Sequence, residues 1–331
     1  MKGDRVNQMS NPPTRMVVAF GAPFRAGVEA RLAGRTDIDL IFPEPDAMGA
    51  ALQEADAILC AGMAYRTRLD PLVRAAGPRL RWMHTITAGN EELEACGVPD
   101  HLVVTRTGGH YAPVVAEHAT ALLLALARGI PAAWDAQKQG KWLREESMGT
   151  TRSLYTRTAV VLGLGPIGEA IARQLKPFGM TVLGVSRRGR PCVAVDRVYP
   201  QDGLLEALAQ AHVLMVAAPG GAGTDKLIDA HALATLQPGA FVTNIGRGTI
   251  IDTMALDAAL RDGTIGGARL DVTDPEPLPE GHPLWTAPNC LITPHRAGSG
   301  DPTSSARMVD SLLHNLALFR RDEPLDYVLE L

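Results

Sequence analysis

A glycine-rich segment near the middle of the chain constrains the fold more than any other feature. Residues 163–168 read GLGPIG, between the apolar run AVVL and the helical pattern EAIARQLKPFG. Gly163 and Gly165 permit a tight turn and the close approach of a pyrophosphate, and Gly168 lets helix and strand pack tightly. The first turn of the helix supplies free N–H groups and a positive dipole end. An ordinary glycine-rich turn is the alternative, but the strand before it and the helix after it favour a dinucleotide-binding βαβ unit.

The end of the next predicted strand bears on which dinucleotide binds. A site selective for NAD places Asp or Glu there, to bind the ribose 2′-hydroxyl. This chain has Ser186, followed by Arg187 and Arg188. No carboxylate at that position repels a 2′-phosphate, and two guanidinium groups can bind it bidentately. A solvated basic turn is the alternative, but the missing acid predicts that NADP(H) is preferred over NAD(H).

The pattern of short apolar runs separated by helical stretches predicts two parallel sheets. In the first part of the chain such runs occur at 16–20, 38–42, 57–60, 81–84 and 102–105. A second series follows at 158–162, 181–185, 213–217, 240–244, 267–271 and 290–292. Strands alternating with crossover helices indicate a parallel sheet covered on both faces. Between the series, an almost continuously apolar helix is predicted over residues 112–128, and the pattern at 301–321 predicts an amphipathic helix that returns to the first domain.

The predicted fold class is therefore α/β, with two doubly wound parallel-sheet domains. A length of 331 residues favours two domains over one. We expect a Rossmann nucleotide-binding domain over residues 114–298, inserted in a flavodoxin-like substrate domain made of residues 1–113 and 299–331.

Charge and hydropathy exclude several classes of protein. The formal net charge of −4 provides no basic field, so nucleic acid is not an expected partner. No apolar run approaches the roughly 20 residues of a membrane helix, and the first fifteen residues lack the apolar segment of a secretory signal. The cysteines form no CxxC pair, which predicts no metal site, and they lie far apart at Cys60, Cys96, Cys192 and Cys290. We expect a cytoplasmic protein.

Six motifs together carry a resemblance to a known family. They are TAGNEEL at 87–93, VVAEHATALLLAL at 114–126, GLGPIG at 163–168, NIGRGTIID at 244–252, LDVTDPEPLP at 270–279 and TPHRAG at 293–298. In order and spacing the chain resembles the D-isomer-specific 2-hydroxyacid dehydrogenases, of the glyoxylate/hydroxypyruvate reductase sort, from about residue 16 to residue 329. The resemblance implies hydride transfer between NAD(P)(H) and a small 2-keto or 2-hydroxy acid.

The resemblance implies a catalytic triad of Arg247, Glu276 and His295, and the chemistry requires these residue types. Reduction of a 2-keto acid needs a proton at the carbonyl oxygen, which a histidine can deliver near neutral pH. A carboxylate beside the ring orients it and favours imidazolium, and a guanidinium can bind the substrate carboxylate and polarise its carbonyl. Each residue alone has a structural alternative, as a loop arginine, a surface glutamate and a turn histidine. All three follow strands of one predicted sheet, so they should converge at its carboxyl edge.

The resemblance also implies substrate and cofactor contacts. Backbone N–H groups of Ala88 and Gly89 would bind the substrate carboxylate together with Arg247 and His295, and Asp271 would contact the cofactor near its nicotinamide. The full set of implied cofactor contacts is Gly163, Gly165, Pro166, Ile167, Gly168, Ser186, Arg187, Arg188, Pro219, Thr224, Ile245, Arg247, Asp271, His295 and Gly298. Asp252, by contrast, is predicted to be the N-cap of the helix TMALDAALRD.

Three segments differ from the family pattern and put the substrate in doubt more than the reaction type. They are Asn90-Glu91 near the expected carboxylate site, residues 220–223 beside the expected cofactor, and Arg296 after the histidine of the triad.

Other functions on related scaffolds stay open. Formate dehydrogenases are similar but carry Gln where Glu276 stands, whereas phosphite-type dehydrogenases retain a similar triad. A dinucleotide-sensing corepressor is an alternative of another class, which the charge and the lack of long disordered tails disfavour. The resemblance further implies a homodimer built around the helix at 112–128, with Trp134 and Trp142 at the partner's substrate cleft.

Overall fold

A computed structural model of the chain describes residues 12–20, 22–87, 89–142, 144, 151–298, 302–329 and 331. Most of the N-terminal segment considered above, residues 1–11, lies outside the described residues. The chain divides into two compact units. Unit 1 consists of Met1–His110 with Asp301–Leu331, and unit 2 of Tyr111–Gly300.

The strands of the described residues fall into two sheets. Those of unit 1 are β1 (Thr14–Ala19), β2 (Ile38–Ile41), β3 (Ala57–Cys60), β4 (Trp82–Thr85) and β5 (Val103–Arg106). Those of unit 2 are β6 (Thr158–Leu162), β7 (Thr181–Ser186), β8 (Arg197–Pro200), β9 (Val213–Val216), β10 (Ala240–Asn244), β11 (Ile265–Leu270) and β12 (Cys290–Ile292).

The α-helices run in chain order as follows: α1 (Ala22–Leu32), α2 (Met48–Gln53), α3 (Gly62–Ala64), α4 (Asp70–Ala75), α5 (Glu91–Cys96), α6 (Ala112–Ala127), α7 (Ile130–Lys138), α8 (Pro166–Leu175), α9 (Leu204–Leu208), α10 (Ala230–Thr235), α11 (Thr253–Arg261) and α12 (Pro302–Arg320). A π-helical turn at Tyr65–Leu69 joins α3 to α4. Short 3₁₀ turns occur at Lys176–Phe178, Gln201–Gly203, Gly248–Ile250 and Pro283–Thr286.

Unit 1 is a parallel sheet in the order β2-β1-β3-β4-β5. This is the flavodoxin-like doubly wound order. The strands are short and mostly apolar because both faces are covered, and β3 is buried at all four positions. The predicted C-terminal helix is α12, which packs against α1, and Asp310 in α12 accepts a 2.8 Å hydrogen bond from Arg31 in α1.

Unit 2 is a parallel sheet in the order β12-β11-β10-β9-β6-β7-β8. Strand β6 lies at the switch point, because β7 follows on one side and β9 lies on the other. Open α/β sheets bind ligands at such a point, outside the carboxyl ends of the strands. Residues of β6 alternate between two cores, with Val160 and Leu162 on the face of α9, α10 and α11, and Ala159 and Val161 on the face of α6 and α8. The predicted α/β class with two doubly wound parallel sheets is confirmed.

Helix α6 packs within the core of unit 2, and nine of its sixteen residues are buried. Because α6 contacts α8, β10 and β11 at once, apolar residues are needed around most of its surface, and this explains its almost continuous apolar sequence. Within the described residues, no single helix is long and apolar enough to cross a membrane, although α6 and α7 pass that test as a pair bent by 66°.

Several predicted strands differ from the observed ones by one or two residues at their ends, and two differences matter for the site or the fold. The edge strand β8 was not predicted, and the strand predicted at 267–271 runs instead over Ile265–Leu270, so that Asp271 lies just beyond it. Strand β8 reads RVYP, and only Tyr199 is buried. A proline is tolerated on an edge strand, but it gives no strand signal in the sequence.

Candidate functional site

Two glycines fix the turn that follows β6. Gly163 has a φ of +96°, and a Cβ there would lie 2.6 Å from the backbone of Ala218. A Cβ on Gly168 would lie 1.8 Å from the carbonyl oxygen of Gly163. No larger residue fits either position without backbone movement, so the glycines predicted for a tight turn and for close packing stand where the backbone requires them.

Gly165 differs from these two, because a Cβ there would meet no atom within 4 Å. It directly precedes Pro166, the first residue of α8, and Ile167 follows within the first turn. The amino end of α8 therefore opens beside an unfilled space at the carboxyl edge of the sheet. The N–H groups of this first turn have no intrahelical acceptor, and they can bind an anion such as a pyrophosphate.

The turn after β7 carries the predicted basic pair. Ser186 is the last residue of the strand, and Arg187 and Arg188 are both exposed. Among the described residues, no carboxylate forms an ion pair with either guanidinium. The turn closes through a hydrogen bond from the N–H of Gly189 to the carbonyl oxygen of Ser186.

The other predicted cofactor positions follow β9, β10 and β12. The hydroxyl of Thr224 donates to the carbonyl oxygen of Pro219 at 2.9 Å and thereby closes the 219–224 loop. Ile245 is 7% exposed and continues β10, since its N–H donates to the carbonyl oxygen of Val216. Gly298 lies beyond β12 and is half-buried.

Arg247 follows β10 and is held by its neighbours in the sequence. Its Nη1 donates to the carbonyl oxygen of Gly246 at 2.8 Å, and its own carbonyl oxygen accepts from the amide of Asn244 at 2.9 Å. A Cβ on Gly248 would lie 1.9 Å from the carbonyl oxygen of Thr273. The segment bearing Arg247 therefore packs directly on the backbone three residues before Glu276.

Glu276 and His295 are hydrogen-bonded to each other. Nδ1 of His295 lies 2.6 Å from Oε1 of Glu276, although 19 residues separate them in the sequence. Both side chains remain accessible, with 49% of His295 and 40% of Glu276 exposed. This bond orients an accessible ring through Nδ1, which suits a group that exchanges protons with a small molecule through its other nitrogen.

The backbone at His295 adopts a conformation that is uncommon for a non-glycine residue. Its φ is +45°, and its N–H donates to the carbonyl oxygen of Asp271 at 2.8 Å. The Asp271 carboxylate, 1% exposed, accepts from the N–H groups of Arg296 at 3.0 Å and Ala297 at 2.8 Å. Asp271 therefore binds the turn at 295–297 through both its backbone and its side chain.

Sequence reasoning missed a residue at this turn, His118 of α6. Its Nε2 lies 3.1 Å from Oγ1 of Thr293 and 3.3 Å from Oδ1 of Asp271. The hydroxyl of Thr293 in turn donates to Oδ1 of Asp271 at 2.6 Å. A histidine in a mostly apolar helix gives no local signal of such contacts, because its partners lie more than 150 residues away.

The two predicted carboxylate-binding amides belong to unit 1. Gly89 lies between β4 and α5, where its carbonyl oxygen accepts from the hydroxyl of Thr87 at 3.1 Å. Ala88 lies outside the described residues. The contacts of both with a substrate stay predictions.

Asp252 is the N-cap of α11, as predicted. Its Oδ1 accepts from the N–H groups of Met254 at 3.0 Å and Ala255 at 3.1 Å. The bond from Ala255, followed by the ion pair with Lys226, holds the pKa of this carboxyl below its ordinary value, against the opposing effect of burial. The carboxylate is thus occupied by the helix.

The described residues contain no group of three or more His, Cys, Asp or Glu side chains arranged to hold a metal ion. Burial raises the pKa of the Cys60 thiol to about 12 and that of Cys290 to about 11, so both thiols stay protonated near neutral pH. Protonated thiols are poor metal ligands and poor nucleophiles.

The chain is similar in sequence to known dehydrogenases. Residues 120–297 match the model of the NAD binding domain of D-isomer specific 2-hydroxyacid dehydrogenases. The glyoxylate reductase/hydroxypyruvate reductase of Mus musculus is 34% identical over 333 residues, which cover 96% of this chain and 99% of the mouse protein.

Two solved structures are similar over nearly the whole chain. A D-isomer specific 2-hydroxyacid dehydrogenase family protein from Aeromonas salmonicida has a TM-score of 0.82 and 31% identity, covering 97% of this chain and 99% of its own. An NADPH-dependent glyoxylate/hydroxypyruvate reductase from Sinorhizobium meliloti, in complex with NADP and sulfate, has a TM-score of 0.79 and 25% identity, covering 97% and 98%.

Proposed function

The chain belongs to the D-isomer specific 2-hydroxyacid dehydrogenase family, and on that premise we propose that it reduces a small 2-keto acid of the glyoxylate or hydroxypyruvate type with NADPH. The observation that carries the proposal is the 2.6 Å bond between His295 and Glu276 at the carboxyl edge of the sheet that also bears the GLGPIG turn. We assign dinucleotide binding to unit 2 and substrate-carboxylate binding by Ala88 and Gly89 to unit 1.

His295 is the proton donor in this proposal. Glu276 accepts from Nδ1 and so directs the proton-bearing Nε2 toward the substrate carbonyl oxygen. During reduction Nε2 gives its proton to the carbonyl oxygen, and Glu276 keeps the ring oriented for that transfer. In oxidation of the hydroxy acid, the same nitrogen takes the proton from the hydroxyl group.

Arg247 binds and polarises the keto acid. A guanidinium can form two parallel hydrogen bonds with a carboxylate, and it stabilises negative charge that develops on a neighbouring carbonyl oxygen. The bonds at Gly246 and Asn244 restrict the segment that bears this side chain, so little conformational freedom is lost when substrate binds.

The residues fit a nicotinamide dinucleotide, which when bound supplies the hydride. The open space beside Gly165 and the amino end of α8 suit its pyrophosphate, and Oδ2 of Asp271 keeps acceptor capacity for the cofactor amide because a carboxylate oxygen can accept two hydrogen bonds. Arg187 and Arg188 suit a 2′-phosphate. The NADP complex of the Sinorhizobium meliloti structure supports the choice of the phosphorylated cofactor.

Initial rates with glyoxylate, hydroxypyruvate, pyruvate and phenylpyruvate test the reaction, each with NADPH and with NADH. Absence of turnover with every acid would refute the proposed function. The Arg187→Ala/Arg188→Ala double variant tests the cofactor. Each charge-assisted contact contributes roughly 1.5–3 kcal/mol, so kcat/KM for NADPH should fall more than about tenfold while the value for NADH changes little.

Arg157→Ala is the matched control for that double variant, because Arg157 is an exposed arginine just before β6, at the opposite edge of the same sheet. It should leave both values unchanged. A wild type that favours NADH, or a double variant with an unaltered preference, would show that this turn does not select NADP.

We also propose a homodimer. Most of α6 packs within unit 2, whereas Ile130 and Trp134 of α7 and Trp142 just beyond it are 55%, 56% and 89% exposed. Aromatic residues are enriched at protein interfaces, and exposed apolar patches often mark such interfaces. Light scattering at micromolar concentration should give twice the chain mass of 35.2 kDa, and a monomer would contradict the proposal. The cytoplasmic location stays a prediction.

A further inference from the structure

The turn that bears His295 depends on one buried carboxylate. Asp271 is 1% exposed, and its two oxygens accept from two backbone N–H groups of the turn and from the hydroxyl of Thr293. A non-glycine residue persists at positive φ only where the surrounding structure fixes it, as Asp271 does for His295 at +45°. Any group that fixes Asp271 therefore also fixes the position of His295.

Hydrogen-bond accounting determines what His118 does there. A threonine hydroxyl has a single hydrogen, and that of Thr293 is directed at Oδ1 of Asp271, 2.6 Å away. The same oxygen of Thr293 lies 3.1 Å from Nε2 of His118, so in this contact Thr293 accepts and His118 donates. Nε2 of His118 also lies 3.3 Å from Oδ1 of Asp271.

We propose that His118 is a positioning residue for the reaction: its Nε2–H donates to Thr293, beside the carboxylate of Asp271, and so holds the turn that carries His295. The inference rests on the proposed function, in which His295 delivers the proton. His118 lies on α6, and its contact with the turn is through the hydroxyl of Thr293, which donates to Asp271, so its proposed action on His295 is indirect.

This role differs from packing alone. A histidine that only fills space in α6 can be replaced by an apolar side chain of similar size without loss of activity. A histidine that holds the turn needs its N–H, because without it the half-buried hydroxyl of Thr293 loses its donor beside the buried carboxylate of Asp271. If His118 only packs, an apolar variant of similar size should stay active. If His118 holds the turn, that variant should lose activity and a variant that keeps an N–H donor should retain it.

The kinetic test compares His118→Leu with His118→Gln, which retains an N–H donor near the position of Nε2. A displaced proton donor should lower kcat for keto-acid reduction, by roughly 10–100-fold in His118→Leu. The keto-acid KM and the NADPH dissociation constant, measured by fluorescence quenching, should change less than about twofold, because Arg247 and the 163–168 turn are intact. His118→Gln should recover most of the lost kcat.

His231→Leu is the matched control, since His231 is an exposed histidine of α10 in the same unit. It should leave kcat unchanged. Normal kcat in His118→Leu, with an active wild type, overturns the inference and leaves the proposed function standing. Equal losses of kcat, NADPH binding and thermal stability in both His118 variants would assign His118 a structural role and also overturn it.

A spectroscopic readout does not depend on turnover. In the ¹⁵N spectrum of histidine-labelled wild-type protein, the signals missing from His118→Gln identify His118. The inference requires that Nε2 of His118 carries a proton. A His118 ring with its hydrogen on Nδ1 alone overturns the inference, whether or not any keto acid is reduced.

Discussion

Two turns at the carboxyl edge of the sheet in unit 2 carry the proposed chemistry, and they are built in different ways. The turn at 163–168 is fixed by residues within a few positions of one another and by the backbone that follows β9, since Gly168 meets the carbonyl oxygen of Gly163 and Gly163 meets Ala218. The turn at 293–298 is fixed from far along the chain, by Asp271, Glu276 and His118.

This difference explains what each motif can reveal. The first turn is a steric requirement, so its glycines appear in the sequence at the spacing that the geometry demands. The second turn is a hydrogen-bonded assembly, so the sequence shows which residue types are present but not which of them meet. The comparison predicts that variants of Gly163 or Gly168 in the first turn lose stability, whereas variants of the second turn lose activity while the fold persists.

The largest expected effect concerns the second turn. His295→Ala should lower kcat for keto-acid reduction on the order of 10²–10⁴-fold, because general acid catalysis contributes about that much. Asp271 continues to bind the neighbouring N–H groups of Arg296 and Ala297, so the unfolding free energy should change by less than about 1 kcal/mol. Initial-rate assays measure kcat, and denaturant unfolding measures the unfolding free energy.

His282→Ala is a control for His295→Ala, because His282 lies outside the proposed triad and only caps the turn Pro283–Thr286. It should keep kcat. A His295→Ala protein with near-normal kcat would show that the proton comes from another group, and one that unfolds would show that the two turns do not differ in the way described.

The next effect concerns the first turn. Gly168→Ala should destabilise the fold by about 3 kcal/mol, since its Cβ would lie 1.8 Å from a backbone oxygen and overpacking of this kind costs roughly 1–3 kcal/mol or more. Gly165→Ala is the matched variant, because nothing lies within 4 Å of its Cβ. It should fold with normal stability and bind NADPH more weakly, since the methyl group occupies the space proposed for the pyrophosphate.

Urea unfolding and NADPH titration of the two glycine variants sharpen the comparison. Similar destabilisation by both substitutions would mean that the turn is not fixed by the contacts of Gly163 and Gly168. Unchanged NADPH affinity in Gly165→Ala would mean that the dinucleotide does not approach this face of the turn.

The same distinction sets how much of the molecule could be predicted from its sequence. The α/β class, the long helix α6 and the N-cap at Asp252 follow from local patterns, and the structure confirms them. The edge strand β8 was missed because an exposed strand that ends in proline has no apolar alternation. His118 was missed because the importance of its ring depends on Thr293 and Asp271, which reach it only after β11 and β12 have joined the sheet.

The smallest expected effect concerns Asp252, and it tests whether this residue stabilises the fold only through local contacts at the start of α11. Asp252→Ala should lower the unfolding free energy at pH 7 by about 1 kcal/mol, the usual contribution of an N-cap. Asp252→Asn should cost less, because asparagine accepts the same bonds from Met254 and Ala255 without the charge.

The pKa of Asp252 in the folded protein lies below its ordinary value of 3.8, chiefly through the bond from Ala255. A carboxyl with a lowered folded pKa stabilises the protein fully above its unfolded pKa, and this contribution is lost as the pH falls through the folded value. Urea unfolding at pH 7, 5 and 4 should therefore show the gap between wild type and Asp252→Ala beginning to narrow at the acidic end, while the gap between the Asn and Ala variants stays constant. A loss of unfolding free energy well above about 1 kcal/mol in both variants would show that Asp252 does more than cap α11. The carboxylate would then also hold Lys226, whose Nζ lies 3.3 Å from Oδ2 of Asp252, together with the loop that bears Lys226.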